Sequence, residues 1–188
     1  MVGLVFVALS LLAVSQADVA VPPPPPVLCG AMPMSVYQCL GTPRVVKPGV
    51  SAKCDKNLGE CEKITCIFRN SGWMDGDQVD KQKLTAYFEQ FAADNPDWQP
   101  AVEYLKTACL QGELPAQGIH LNCPAYDAMQ CTFASFIKYA QPSQWNSSAR
   151  CAGARQFATA CPVCPTDCFS PQIPVGACNA CLALPRSP

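Results

Sequence analysis

Apolar side chains recur at helical spacing through the middle of the chain, between residues 60 and 161. The first stretch starts at about Glu60, places Ile64 and Phe68 on one face, and stops at Gly72, a residue suited to a C-cap. A second stretch covers 80–93, and its apolar positions are Val79, just before it, and Leu84, Tyr87, Phe88 and Phe91. Both stretches predict amphipathic helices.

Three more segments carry the same periodicity. Asn95 followed by Pro96 is typical of an N-cap and first turn. The apolar stripe behind this pair is Trp98, Ala101, Val102, Leu105, Ala108 and Cys109. A fourth predicted helix covers 124–140, with the apolar residues Met129, Phe133, Phe136 and Ile137. Asn146 or Ser147 is the predicted cap of a fifth helix. Its inward face is Cys151, Ala154, Phe157, Ala158 and Cys161.

No segment alternates apolar and polar residues over the length of a strand. The pattern therefore predicts an all-α domain of five to six helices over 60–161, braced by disulfides. Proline- and cysteine-rich arms are predicted on either side, over 18–59 and 162–188. Prolines 22–26 favour an extended spacer, and prolines and glycines over 29–54 break any helical period.

The start of the chain has the pattern of a secretory signal peptide over residues 1–17. Its apolar run ends before small residues at positions 15 and 17, and it is too short to cross a bilayer. The chain has 13 Lys and Arg against 14 Asp and Glu, with no basic run. We therefore expect a secreted, extracellular protein with no membrane insertion and no nucleic-acid partner.

Cysteine content supports the same compartment. All 14 cysteines follow the predicted signal peptide, which implies a disulfide framework of up to seven bridges. Spacing alone does not choose the pairs. Cys61 and Cys66 are five positions apart, and therefore lie roughly 140° apart around a helix. Such a pair can join one helix to two different neighbours.

Two CxxC pairs in the tail have the spacing of zinc knuckles: Cys161 with Cys164, and Cys178 with Cys181. An oxidising compartment and the additional Cys168 between them favour disulfides instead. The sequence CPVC at 161–164 also matches a thiol oxidoreductase motif. It follows a predicted helix C-terminus, however, where the helix dipole would raise a thiol pKa. We therefore expect no metal and no cofactor.

His120 is the single histidine and so the only candidate for a histidine general base. No Asp or Glu lies close to it in sequence to orient the ring. The chain also lacks the His-Asp pair and the glycine-rich calcium loop of a secreted phospholipase. We expect no enzymatic activity.

The segment Asn146-Ser147-Ser148 matches the acceptor pattern for N-glycosylation. Such matches also arise by chance. If Asn146 is used, this turn lies on the surface.

The large apolar side chains of the predicted helices allow two interpretations. They can fill a solid core. Alternatively, because disulfides keep a domain folded without solid packing, they can enclose a cavity for an apolar ligand. The sequence leaves both open. The candidate ligand-binding residues are Leu84, Tyr87, Phe88, Phe91, Trp98, Val102, Leu105, Met129, Phe133, Phe136 and Ile137.

The helical pattern and cysteine spacing together resemble the insect odorant-binding proteins, and among them the cysteine-rich Plus-C group. The likeness covers 60–161 and rests on Cys61 and Cys66, the 42-residue gap before Cys109, and the later cysteines. Four residues separate the close pair, where the family usually has three. The segment CIFRNSGWMDGDQVD is similar to the helix and turn after the family's third cysteine.

The resemblance implies disulfide pairs, but two alignments assign them differently. In the preferred alignment, Pro142 corresponds to the proline that the Plus-C group carries after its sixth core cysteine. This alignment pairs Cys61 with Cys131 and leaves Cys123 as the replacement partner for Cys109. It is preferred because the two cysteines at 151 and 161 then also fall where the group has extra cysteines.

The rival alignment takes Cys123 and Cys131 as the fifth and sixth core cysteines, and pairs Cys61 with Cys123. Both alignments bridge Cys66 to an upstream cysteine, either Cys39 or Cys54. The predicted bridge cysteines are Cys39, Cys54, Cys61, Cys66, Cys109, Cys123, Cys131, Cys151 and Cys161.

The resemblance implies a secreted carrier that binds odorants, pheromones or other small hydrophobic semiochemicals and moves them through aqueous fluid. Its expected partner is a small apolar ligand, with an odorant receptor or a second copy of the chain as further candidates. Tyr87, Tyr104 or Tyr139 would offer a hydroxyl to a ligand's polar head. Two alternatives remain: a disulfide-rich interaction or defence protein without a cavity, and a secreted hydrolase.

Overall fold

The computed structural model describes Val27, Cys29 and residues 31–111 and 122–163. Six α-helices occur in this part of the chain, which confirms the prediction of a helical, disulfide-braced protein. They are α1 (Met34–Cys39), α2 (Glu60–Ser71), α3 (Lys81–Asp94), α4 (Gln99–Leu105), α5 (Pro124–Lys138) and α6 (Ala152–Ala160). The predicted signal peptide, the proline spacer, His120 and residues 164–188 lie outside the described residues.

A local signal fixes the end of α2 as predicted, and a cap that the sequence analysis did not assign fixes the start of α3. Gly72 has φ 77°, and its N–H donates to the carbonyls of Phe68 and Arg69, which closes the last turn of α2. The side chain of Asp80 accepts a hydrogen bond from the backbone N–H of Lys83 and caps α3. These caps satisfy backbone groups that a helix end leaves without partners.

Two short elements were not predicted. Met74–Asp75 (β1) and Gln78–Val79 (β2) form an antiparallel hairpin, with Gly76 at φ 57° in its turn. Strands of two residues are too short to show alternation. Helix α1 lies in the segment predicted to be irregular, so that prediction was wrong over these six residues. No side chain caps α1, so the sequence around it contains no capping signal that would predict the helix.

Two predicted N-caps were wrong. Asn95 makes no cap to the 3-10 turn Pro96–Trp98; its side-chain amide instead donates to the carbonyl of Phe91, at the end of α3. Asn146 makes no cap to the turn Ala149–Cys151 that precedes α6. Its side-chain oxygen accepts from the backbone N–H of Ser148, two residues on. Asn side chains form both kinds of local bond, and sequence does not distinguish them.

Five disulfides join the described elements. They are Cys29–Cys161, Cys39–Cys151, Cys54–Cys66, Cys61–Cys123 and Cys109–Cys131. The preferred pairing of Cys61 with Cys131, and with it that of Cys109 with Cys123, was wrong. Cys123 immediately precedes the first turn of α5, and Cys131 lies two turns along the same helix. This places Cys123 against α2 and Cys131 against the segment that follows α4.

Helix α5 lies at the centre of the fold, where it packs against α2, α4, α6 and the hairpin. Helix α4 continues into a π-helical turn, Lys106–Leu110, which carries Cys109 to α5. Helix α1 packs against α6 and is held there by the Cys39–Cys151 bridge. Its Val36 is completely buried. Residues before Glu60 therefore contribute to the same core as the helices after it.

Candidate functional site

Most of the predicted ligand-binding side chains are packed in the core. Six of them expose at most 2% of their surface: Leu84, Phe88, Val102, Leu105, Phe136 and Ile137. Trp98 exposes 6%. A side chain that lines a ligand-sized cavity exposes area to that space, and these six expose almost none. A ligand could contact them only by displacing core side chains.

Aromatic rings from four elements form the centre of this core. The ring of Phe136 on α5 lies 6.0 Å from Phe88 of α3 and 5.0 Å from Trp98, measured between centroids. Trp73, ahead of the hairpin, lies 5.2 Å from Phe68 of α2 in an edge-on contact. Trp73 was missed by the sequence analysis because it follows the end of a helix and has no periodic partner. We name this group the aromatic core.

The other four predicted ligand-binding residues are half-buried and form two pairs. Tyr87 and Phe91 lie one turn apart on α3, and Met129 and Phe133 lie one turn apart on α5. The hydroxyl of Tyr87 donates to the carbonyl of Val45 over 2.6 Å. Burial raises the pKa of Tyr87. This hydroxyl already has a partner within the protein, so it is not free for a ligand's polar head.

The pair on α5 lies beside exposed residues of α1. Tyr37 stacks on Phe133 with ring centroids 5.5 Å apart and planes 21° from parallel, yet it remains 44% exposed. Met34, one helical turn before Tyr37, is 68% exposed. Met129 lies one turn before Phe133. We call these four side chains the α1–α5 face: Met34 and Tyr37 are exposed, whereas Met129 and Phe133 are partly buried against the core.

An open groove lies beside this face on the other side of α1. It has a volume of about 420 Å³ and is lined by Ser35, Gln38, Cys39 and Arg150. Its hydroxyl, amide and guanidinium groups suit a polar or anionic group, in contrast to the apolar α1–α5 face. The sequence analysis missed both features of α1 because it did not predict the helix that carries them.

Two of the tyrosines considered for a polar head group form a separate surface pair. Tyr104 and Tyr139 stack with ring centroids 4.3 Å apart and are 40% and 39% exposed. They lie on α4 and at the end of α5. This pair resembles the Tyr37–Phe133 stack in geometry and in the exposure of its tyrosines. No methionine lies three or four positions from either tyrosine, however, so no thioether is expected beside the pair.

The described residues give no indication of metal or membrane chemistry. Across 31–111 and 122–163, no three His, Cys, Asp or Glu side chains come close enough to hold a metal ion. Within those ranges, no helix combines the length and apolar character needed to cross a bilayer. The five bridges fit an extracellular environment.

Comparison of the chain with protein-family models, with curated proteins and with solved structures gives no match. The likeness to odorant-binding proteins therefore rests on the cysteine spacing and helical pattern alone.

Proposed function

We propose that this protein is a secreted carrier that binds small hydrophobic molecules and transports them through aqueous extracellular fluid. The observation that carries the proposal is the α1–α5 face, where Tyr37 stacks on Phe133 yet stays 44% exposed. Exposed apolar clusters on a disulfide-braced domain are typical of binding surfaces. The ligand is bound there and not in the aromatic core.

The disulfide pattern supports the same proposal. Bridge Cys61–Cys123 is the one that the rival alignment to the odorant-binding family implies, and Cys54–Cys66 is one of the two pairings that both alignments allow for Cys66. They join α2 to the start of α5 and to the segment before α2. A carrier of that family needs no catalytic step, and the expected partners are a small apolar ligand and a receptor or a second copy.

The energetics favour modest affinity. A ligand that buries ~300 Å² of apolar surface gains several kcal/mol at about 25 cal/mol per Å². Part of that gain is lost to association and to ordering of side chains, which leaves micromolar binding. Met34 and Met129 are flexible and polarizable, so they adapt to ligands of different shape. We therefore expect a broad preference among apolar ligands.

A fluorescence displacement assay tests the proposal. The oxidised, signal-free protein is titrated with N-phenyl-1-naphthylamine, and fatty acids, terpenoids and aromatic odorants are then added as competitors. The carrier proposal predicts saturable, micromolar probe binding. The Tyr37→Ala variant should bind at least tenfold more weakly, a loss of about 1.4 kcal/mol.

Tyr104→Ala is the matched control, because Tyr104 has nearly the same exposure and also stacks on an aromatic ring. It should leave probe affinity unchanged. Equal losses of probe affinity in Tyr37→Ala and Tyr104→Ala would show that the probe does not bind at the α1–α5 face. Absence of saturable binding by the folded, fully bridged protein would contradict the carrier proposal.

A second candidate is a disulfide-rich interaction or defence protein that has no ligand cavity. The closed packing of the helical core favours it, because residues such as Val102 and Leu105 expose no surface at all. In that case the α1–α5 face would contact a protein and not a small molecule. The displacement assay separates the two candidates, since only the carrier binds the competitors.

A further inference from the structure

The loop between Trp145 and α6 presents a modifiable side chain to solvent. Asn146 is exposed, and its side-chain oxygen accepts from the N–H of Ser148 over 2.9 Å. Its side-chain nitrogen makes no hydrogen bond within the described part of the chain. Asn146, Ser147 and Ser148 form an Asn-x-Ser acceptor with no proline in the middle position.

We propose that Asn146 carries an N-linked glycan. In the transfer, the side-chain nitrogen of Asn146 bonds to C1 of the first sugar of a lipid diphosphate-linked oligosaccharide. The C1–O bond to phosphate breaks, the lipid diphosphate leaves, and the nitrogen loses one proton. No atom changes its oxidation state, so the transfer needs no oxidant or reductant. The inference rests on the secretory part of the proposed function and is independent of ligand binding.

The folded structure also indicates when the transfer happens. The hydroxyl of Ser148, the third residue of the acceptor, is buried and has no hydrogen-bond partner among the described residues. The backbone N–H of Asn146 donates to the carbonyl of Cys39 over 2.8 Å, and Arg155 donates to the carbonyl of Asn146 over 2.9 Å. The Cys39–Cys151 bridge flanks the loop.

An enzyme that must engage the acceptor hydroxyl therefore has no access to it after folding. The glycan is added to the unfolded chain, before α1 docks on α6. In the folded protein the sugar then extends into solvent from the exposed Asn146 side chain.

Expression in a eukaryotic secretory cell tests the modification. Protein from the medium is treated with peptide-N-glycosidase and examined by gel mobility and by mass spectrometry of the peptide that contains Asn146. The wild type should lose mass, and its Asn146 should convert to Asp. N146Q and S148A should show no change. S147A is the matched control and should behave as the wild type, because the middle residue carries no part of the acceptor chemistry.

The protein is also expressed with an established secretory leader in place of residues 1–17. This second version separates the glycan proposal from the proposed function. Secretion only with the added leader would contradict the predicted signal peptide while leaving the glycan test intact. Secreted protein with an unmodified Asn146 would overturn the glycan proposal.

The timing is tested in vitro with bacterially produced chain. Oligosaccharyltransferase and its lipid-linked donor are offered the reduced, unfolded chain and the oxidised, folded chain. Only the unfolded chain should be modified. Modification of both at the same rate would overturn the claim that folding blocks the acceptor.

Discussion

The aromatic core and the α1–α5 face are built from the same kinds of side chain but differ in what covers them. Phe136 and Phe133 lie three positions apart on α5. Phe136 exposes 2% of its surface and contacts rings from α3 and the turn before α4. Phe133 is half-buried and contacts the ring of Tyr37, itself 44% exposed. Hydrophobic pattern alone therefore does not distinguish a core position from a partly exposed one.

Helix length explains the difference. Helix α5 has 15 residues and extends about 22 Å, whereas α1 has six residues and extends about 9 Å. A six-residue helix is too short to cover the side of α5 that it meets. The rings on the other side are covered by α3, which has 14 residues, and by α4 together with its π-helical continuation, and they become core.

The largest effect is expected in the aromatic core. Phe88→Ala and Phe136→Ala should each lower the free energy of unfolding by about 3–5 kcal/mol, because each leaves a cavity among packed rings. Urea denaturation of the oxidised proteins measures this loss. A loss below about 1 kcal/mol would show that these side chains face open space and not core.

Removal of the bridge that anchors α1 should have the next largest effect. The Cys39–Cys151 bridge spans 112 residues and Cys54–Cys66 spans 12. The Cys29–Cys161 bridge lies ten residues outside the first pair on each side, so that pair closes an effective loop of about 20 residues. By loop entropy, replacing the first pair with Ala should cost about 3 kcal/mol, roughly 0.5 kcal/mol more than replacing the second. Probe binding should also be lost with the first pair, since α1 carries half of the face. Probe binding that survives replacement of the first pair would contradict this account.

A substitution on the face should weaken binding more than folding. Phe133→Ala should lower unfolding free energy by about 1 kcal/mol, consistent with partial burial, and weaken probe binding about tenfold. Phe91→Ala is the matched control, a half-buried phenylalanine on α3. We expect it to destabilise the protein by a similar amount and to leave probe affinity unchanged.

A smaller effect is expected at the end of α6. The ammonium of Lys138 donates to the carbonyls of Ala158, Thr159 and Cys161 over 2.7, 3.0 and 2.7 Å. These carbonyls lie at the C-terminal end of α6, where a cation is favourable. Lys138→Met should cost about 1–2 kcal/mol in urea unfolding. Unchanged stability would show that water replaces these bonds without loss.

The smallest effect concerns alkaline pH. Burial raises the pKa of Tyr87 in the folded state above its unfolded value of about 10. Its contribution to stability is complete below about pH 10 and is lost as pH rises through the folded value, because only the unfolded chain then ionises. Tyr87→Phe should lose stability less steeply than the wild type above about pH 10. An identical slope in the variant and the wild type would contradict the prediction.

Local chemistry could be predicted from the sequence, whereas contacts between distant segments could not. The end of α2 depends on Gly72, a residue whose effect is confined to one turn. Helix α1 has no such signal, because it is held by Val36 in the core and by a bridge to Cys151. The partner of Cys61 depends on where α5 begins in space, so the spacing allowed two answers and the wrong one was preferred.

The central claim is that ligand binds the α1–α5 face and not the aromatic core. NMR of methyl-labelled methionine tests it directly, because the chain has 5 methionines and the face holds two of them. Titration with a competitor that displaces the probe should shift the methyl signals of Met34 and Met129 and leave that of Met74, in the hairpin, unchanged. Single Met→Leu variants assign the signals. A shift of Met74 while Met34 and Met129 stay fixed would contradict the account.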